Sequence, residues 1–385
     1  MRVSIVAAAL VAVLVGFHGT LAIVVAAARN LGADGAEVAS WVGALCLGIG
    51  ISSIVLSVWH RMPVVTAWSL AGAVLIAGLP PGTGMAEATG AFLLSGTLMV
   101  LTGAVPALGA AVARLPAPIG AAMLAGLLLR FVLALFQAGQ AEPGLVLPLL
   151  LVFLLARSVH AASAPLVVLV AGLPLAWMLG HGLPAPSFAL SVPQLTLPAW
   201  SVTALIGLGL PLFLVTMATQ QLPGSAVLRV AGYVPPVRSA LTTTGSLTVL
   251  LAPFGCYSTN LSSITAAICT GVDAHPDPAQ RWRTGPVYGG LYLVLALFGA
   301  GFTTMLAGLP PALVTTVAGT ALLGPLTNAL SAAVAQERKR FAAMVAFGVT
   351  ASGMTLLGLG GAFWGLLAGI MVLGAERIAH RLRGG

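Results

Sequence analysis

The chain has 385 residues, of which 59% are hydrophobic and only 6% are charged, and its mean hydropathy is +1.07. A soluble domain carries about 25% charged residues, so this composition excludes an ordinary soluble protein and predicts an all-α polytopic membrane protein. The formal net charge is +8, but the basic residues are spread thinly over the loops, which argues against a nucleic-acid surface.

Charged residues mark the ends of the apolar runs. All eight acidic residues, and nearly all Lys and Arg, lie between these runs or at their ends. A charged side chain in hydrocarbon is costly, so the runs predict membrane-spanning helices. The cysteines, Cys46, Cys256 and Cys269, have no metal-ligand or C-x-x-C spacing. We expect them to be reduced core residues, and we expect neither a metal nor a cofactor.

The predicted helices follow one another along the chain. The first run resembles a secretory signal, but it continues to Ala28 without a polar cleavage region, so we interpret it as a spanning helix. A spanning helix needs about 20 apolar residues. Helices are predicted near 3–28, 38–58, 88–110, 116–136, 144–157, 163–180, 201–222, 237–253, 285–307, 310–331, 341–357 and 360–376.

Two further segments, 62–79 and 254–270, begin with Pro, β-branched or polar residues and end as short helical stretches. An extended part followed by a short helix reaches ~33 Å, which is enough to cross a bilayer. Backbone that is not helical at that depth must be buried in protein or line a cavity. We therefore predict two half-extended crossing segments, the third and the tenth of fourteen.

The distribution of Arg and Lys supports this count. With fourteen spans and both termini cytoplasmic, fourteen basic residues lie inside and only Arg29 and Arg130 lie outside. If neither unusual segment crosses, the split falls to about 11 to 5, and the positive-inside rule is followed less well.

The two halves of the sequence repeat weakly. The stretch 118–126 resembles 311–319 at an offset of 193 residues, and Gly16 and Gly209 are separated by the same number. The dipeptides Leu115-Pro116 and Leu309-Pro310 are 194 residues apart. We predict two repeats of seven spans, 1–185 and 200–385. Because seven is odd, the second repeat is inverted in the membrane. Interrupted helices at matching positions of inverted repeats indicate a transporter's substrate site.

The polar residues of the half-extended segments are the candidate substrate site. Each segment offers a helix N-terminus, whose free N–H groups and partial positive charge suit an anion. The alternative is that the hydroxyls only satisfy interrupted backbone. The candidates are Thr66, Trp68 and Ser69 in the third segment and Tyr257, Ser258, Thr259, Asn260 and Ser262 in the tenth.

Other candidates lie on regular helices. His18 is in the middle of the first helix, where an ionisable residue suggests ligand binding or proton coupling. Thr216 and Gln220 face either the cavity or the cytoplasmic boundary. Arg130 either pairs with a carboxylate or, as we favour, extends to the outer surface. The loop Asp273–Pro278 is interpreted as structural. No catalytic motif is present, so we do not expect an enzyme.

Three stretches resemble the benzoate/proton symporter family (BenE): GLGLPLFLVTMATQQLPG at 207–224, APFGCYSTNLSSITAAICTGVDAHPDPAQRW at 252–282, and TASGMTLLGLGGAFWGLLAG at 350–369. The resemblance implies proton-driven import of benzoate or a similar aromatic carboxylate across a bacterial inner membrane. The rival interpretations are a transporter of nucleobases or other small anions and, less favoured, a channel.

The family is more remotely similar to the uracil and nucleobase transporter fold. That similarity implies a core domain of about 3–110 and 201–307 and a gate domain of about 116–180 and 310–376. It matches His18 to a histidine of those relatives, and Thr259 to a carboxylate that holds the base. A missing carboxylate suits an anionic substrate, but it leaves the proton carrier unassigned apart from His18. The expected partners are the substrate, a proton and the lipid bilayer, and a homodimer is compatible with the sequence.

Overall fold

The computed structural model describes residues 3–80, 82–113, 117–159, 163–182, 185 and 187–383. Within these residues the chain is largely helical, with two short antiparallel strand pairs. Six described helices are long and apolar enough to cross a membrane, and a bent helix pair makes a seventh when it is counted as one span. The protein is therefore a helical polytopic membrane protein, as its composition predicts.

The first half contains a strand between its second and third helices. Its elements are α1 (Val3–Asn30), α2 (Gly35–His60), β1 (Thr66–Trp68), α3 (Leu70–Ala77), α4 (Met85–Ala104), α5 (Pro106–Ala113), α6 (Ala117–Ala141), α7 (Pro143–Val159) and α8 (Ala164–Met178).

The second half begins after an extended linker. Its elements are α9 (Val202–Val230), α10 (Val237–Leu251), β2 (Thr259–Leu261), α11 (Ile264–Thr270), α12 (Thr284–Leu297), α13 (Gly299–Ala307), α14 (Pro311–Val334), α15 (Arg340–Ala351), β3 (Thr355–Leu356), β4 (Leu359–Gly360) and α16 (Gly361–Arg383).

Both half-extended segments are present, so this part of the prediction is confirmed. Residues 66–68 form β1 and lead into the eight-residue helix α3, and residues 259–261 form β2 and lead into the seven-residue helix α11. Pro63 and Pro253 stand at the beginnings of the two segments, where a proline cannot donate a helical hydrogen bond. Both strands are buried.

Three predicted helices are shorter than expected. The helix expected over 88–110 breaks at Val105, because Pro106 has no N–H and restricts the residue before it. The helix expected over 341–357 ends at Ala351, and the chain turns through a hairpin at Leu357 and Gly358, both of which have positive φ.

The helix expected over 285–307 bends by 64° at Phe298. The linker between the halves causes this break. The amide of Ser191 donates to the carbonyl of Leu297 (2.8 Å), and the Ser191 hydroxyl accepts from the amide of Ala300 (3.0 Å). These bonds replace helical ones, and Gly301 leaves room for the linker backbone to pass. The residues of the helix alone therefore do not predict the bend, because its partner Ser191 lies in the linker.

Helix α9 contains two π-helical turns, Leu205–Gly209 and Met217–Gln221. Each turn ends two residues before a proline, Pro211 or Pro223. A proline supplies no N–H to the carbonyl four residues earlier, so the backbone widens locally to satisfy its acceptors.

The element boundaries recur at the offset found in the sequence. The strands begin at Thr66 and Thr259 and end at Trp68 and Leu261, in each case 193 residues apart. The helix breaks at Val105 and Phe298 are also 193 apart, and α6 and α14 begin 194 apart.

The helices pack in two groups. In the first, α2 contacts α10 and α12, α4 contacts α10, and α1 contacts α3 and α11. In the second, α6 contacts α14 and α15, and α15 contacts α16. The strands lie within the first group, and the largest apolar cluster continues from this group into α6 and α14 of the second. The candidate site is therefore built on rigid, buried elements.

Candidate functional site between two half-helices

The strands β1 and β2 pair with each other in antiparallel register. Thr66 lies opposite Leu261, Ala67 opposite Asn260, and Trp68 opposite Thr259. At the offset of 193 residues, Ala67 is equivalent to Asn260, so the central pair joins two equivalent positions. The outer pairs, Thr66–Leu261 and Trp68–Thr259, exchange on rotation about that central pair. A local two-fold axis passes through that pair, and the two half-extended segments meet there.

Equivalent serines begin the two short helices. Ser69 is the N-cap of α3, and its Oγ accepts a hydrogen bond from the amide of Gly72 (2.9 Å). Ser262 Oγ accepts from the amide of Thr265 (3.3 Å). Both pairs of residues are 193 apart. An N-cap serine satisfies one of the amides that a helix start leaves free. Ser69 does so for α3, and Ser262, one residue before the N-cap Ser263 of α11, bonds to the amide of Thr265 in the same way.

The two strand threonines anchor the strands to the scaffold. The amide of Thr66 donates to Ser53 Oγ (3.0 Å), and the amide of Thr259 donates to Thr248 Oγ1 (3.0 Å). The Thr66 hydroxyl also bonds to Ser52 (2.7 Å) on α2. Since buried backbone groups need partners, α2 and α10 supply them in equivalent ways. The hydroxyl of Thr66 also bonds to the carbonyl of Ile49 (3.1 Å), so its present partners all belong to α2.

The Thr259 side chain packs against Cys256 and α2. Its hydroxyl lies 3.4 Å from Cys256 Sγ, and Gly48 of α2 leaves room for it, because a Cβ at that position would lie 2.8 Å from Thr259 Oγ1. Thr259 is fully buried. The position matched to the carboxylate of the nucleobase transporters is thus a packed one in this protein.

The remaining candidates form one polar cluster around the start of α3. Thr216 of α9 donates to Ser69 Oγ (3.2 Å), and the Tyr257 hydroxyl donates to the carbonyl of Ser69 (3.0 Å). Ser258 is hydrogen-bonded to Asn260 (2.9 Å). These five side chains are buried. The structure therefore gathers residues from segments three, eight and ten.

The carboxamide of Asn260 joins the two half-extended segments. In the orientation that satisfies both of its ends, the oxygen accepts from the amide of Ser69 (3.1 Å), and the nitrogen donates to the carbonyl of Thr259 and to Ser258 Oγ (each 2.9 Å). Asn260 thus reaches from the pseudo-two-fold pair to the beginning of α3.

Trp68 turns toward α1 rather than toward this cluster. Its Nε1 donates to Thr20 Oγ1 (2.7 Å), and its ring contacts those of Phe17 and Tyr292. The hydroxyl of Tyr288 donates to the carbonyl of Thr66 (2.9 Å). Sequence reasoning missed Thr20, Tyr288 and Tyr292, since a tyrosine or threonine in an apolar helix has no signature of its own.

The two further candidates are His18 and Gln220. His18 belongs to α1, but its side chain lies outside the described residues, so its position relative to the site is not assigned. Gln220 is half-buried. Its neighbour Gln221 is buried, and its Nε2 donates to Thr244 Oγ1 (3.1 Å), while its Oε1 has no partner among the described atoms.

The loop after α11 is organised by a buried arginine that sequence reasoning placed only as a loop cation. Arg281 donates to the carbonyls of Thr270 (2.8 Å), His275 (2.7 Å) and Pro276 (3.3 Å). Thr270 is the last residue of α11. A cation at a helix C-terminus is favourable because of the helix dipole, so Arg281 holds the end of the second half-helix.

The cluster presents donors and no carboxylate. Ser69 Oγ takes the amide of Gly72, which leaves the first amides of α3 without a helical acceptor. The hydroxyls of Thr216 and Tyr257 bond to Ser69, and that of Ser258 bonds to Asn260, next to the start of α3. Among the described residues that bond within this cluster, none is acidic. Such a site favours a negatively charged or hydrogen-bond-accepting group.

Comparison with known proteins defines the class first. The fold is similar to the solved transmembrane domain of the cyanobacterial bicarbonate transporter BicA, with a TM-score of 0.64 and 15% sequence identity over 96% of this chain and 97% of that one. At this identity the similarity establishes a membrane-transporter fold and nothing about substrate.

The sequence comparisons then define the family. Residues 1–375 match the model of BenE, the benzoate membrane transport protein family. The chain is 40% identical over 363 residues to the inner membrane protein YdcO of Escherichia coli (strain K12). It is 34% identical over 366 residues to the benzoate membrane transport protein of Acinetobacter baylyi. Each alignment covers 94% of this chain and 93% of the relative. The chain belongs to the BenE family of membrane transport proteins.

Proposed function

We propose that this protein is a secondary active transporter that imports benzoate or a similar aromatic carboxylate together with a proton. The observation that carries the proposal is the paired start of the two half-helices, where β1 and β2 meet and the amides of α3 open onto the Ser69–Asn260 cluster. Family membership and the name of the Acinetobacter relative, a benzoate membrane transport protein, support the same substrate class.

The chemistry of the cluster favours an anion over a nucleobase. A nucleobase N–H needs an acceptor, whereas a carboxylate needs donors and is repelled by a neighbouring carboxylate. The N-terminus of α3 supplies free amides, and the hydroxyls of Thr216, Tyr257 and Ser258, which now donate to Ser69 and Asn260, turn to the carboxylate when it binds. Gln220 is a further binding candidate. Thr66, Trp68 and Thr259 belong to the β1–β2 pair that positions the site.

The proposed architecture has fourteen segments in two inverted repeats, 1–185 and 200–385. The recurring boundaries and the local two-fold axis at Ala67–Asn260 support it. The core domain comprises about 3–110 and 201–307, and the gate domain about 116–180 and 310–376, in keeping with the two packing groups. Movement of the core against the gate exposes the site to each side in turn.

The proposed location is the bacterial inner membrane, with both termini in the cytoplasm. The Escherichia coli relative is named an inner membrane protein, and the positive-inside rule orients the chain. His18 is the proposed proton-coupling residue, because imidazole exchanges a proton near neutral pH.

The proposal is tested by uptake of labelled benzoate into proteoliposomes under an imposed proton gradient. We expect accumulation above the external concentration, and its loss on addition of a protonophore. Downhill flux alone would indicate a channel, and concentrative uptake of labelled uracil without uptake of labelled benzoate would indicate a nucleobase carrier.

A further inference from the structure

A narrow cleft lies at the opposite end of α3 from the polar cluster. Its described lining residues come from the end of α3 (Leu75, Gly78 and Leu79), from α9 (Gly207), from α6 (Leu127 and Arg130), and from the end of α15 through the hairpin to α16 (Thr350, Gly353, Gly360, Gly361 and Ala362). Helices α3 and α9 belong to the proposed core, and the other elements belong to the proposed gate.

Arg130 is the one charged residue among the described lining residues of this cleft. It is exposed. Among the described residues no carboxylate lies within salt-bridge distance of it, and the ion pair that these residues do form joins His181 to Glu142. The guanidinium packs against Gly353, where a Cβ would lie 2.9 Å from Nη1. Gly353 has a φ of +65°, so a side chain is excluded by conformation as well as by space.

The cleft is aligned with the candidate site. Helix α3 has eight residues and therefore spans ~12 Å, with Ser69 at one end and the cleft at the other. A substrate that moves between core and gate passes along this helix. An unpaired cation in a cleft raises the local concentration of anions there.

We propose that Arg130 forms a recruiting subsite for the carboxylate group of the incoming aromatic acid, at the opening between core and gate. This inference rests on the proposed function. The planar guanidinium offers two parallel N–H donors to a carboxylate. The subsite acts before the substrate reaches Ser69, so it governs capture rather than the translocation step.

The test compares Arg130→Gln, Arg130→Lys and the control Arg157→Gln, an exposed cation of α7, in proteoliposomes. We expect Arg130→Gln to lower initial benzoate uptake ~10-fold at limiting substrate and low ionic strength, with little change in maximal rate. At ~1 M salt, where the Debye length is about 3 Å, the difference should nearly disappear. Arg130→Lys should retain part of the rate, because it keeps the charge but loses the two parallel donors, and Arg157→Gln should retain all of it.

Each alternative outcome is decisive. If Arg130→Gln matches wild-type uptake at limiting benzoate and low salt, the subsite is refuted while the proposed function stands. If Arg130→Lys is as impaired as Arg130→Gln, charge-based recruitment is refuted. If the wild-type protein takes up no benzoate, the proposed function fails and the subsite fails with it.

Discussion

Asn260→Asp is the sharpest perturbation of the site, because it adds one negative charge without adding volume. The carboxamide oxygen of Asn260 already accepts from the amide of Ser69 at 3.1 Å, so an aspartate keeps this bond and the buried position. An anion held by the first amides of α3 then lies roughly 5 Å from the new charge. At an effective dielectric constant of about 20, the repulsion is about 3 kcal/mol, or more than ~100-fold in Kd.

The assay is equilibrium binding of benzoate to purified protein in lipid nanodiscs. Asn260→Ala is the matched control, since it removes the carboxamide without adding charge, and it should bind benzoate more tightly than Asn260→Asp. Thermal unfolding of each variant reports whether the fold is kept. If Asn260→Asp remains folded and binds benzoate within threefold of wild type, the anion does not lie beside Asn260 and the assignment of the site is wrong.

The remaining predictions concern coupling and scaffold. His18→Ala should reduce proton-driven uptake far more than protein level, and unchanged uptake across pH would remove His18 from the mechanism. Ser53→Ala leaves the amide of Thr66 unsatisfied and should destabilise the protein by about 1–3 kcal/mol, seen as a lower Tm with a nearly unchanged benzoate Kd. Arg281→Met should lower the Tm at least as much, because three carbonyls lose their donor; an unchanged Tm would contradict the clamp at the end of α11.

The half-extended segments were predictable from the sequence because their composition conflicts with a lipid-facing helix. Proline, β-branched and hydroxyl residues at 62–69 and 254–262 disfavour helix and need buried partners. The offset of 193 residues between the halves was also present in the sequence, and it reappears in the ends of β1 and β2.

The orientation of each site residue was not predictable, since it depends on the strand register. A shift of one residue reverses every side chain of a strand. With the observed register Thr259 faces Gly48 and Cys256, so a charge introduced there by Thr259→Glu would disrupt packing rather than probe the site. Asn260, its neighbour, takes the position from which a charge test is informative.

Two helix boundaries depend on partners that lie elsewhere in the chain. The bend at Phe298 requires the linker residue Ser191, more than a hundred positions earlier in the chain. Likewise, the C-terminus of α11 depends on Arg281, which lies beyond a proline-rich loop. The hydrophobic periodicity of a single segment predicts neither of these contacts, because each joins two separate segments.

The most direct test of the central claim is a cryo-EM map of the protein with bound 4-iodobenzoate. The account predicts ligand density at the start of α3, with the carboxylate next to the Ser69, Thr216 and Asn260 cluster. Density for the ligand at another position, with the β1–β2 pair closed and unoccupied, would contradict it.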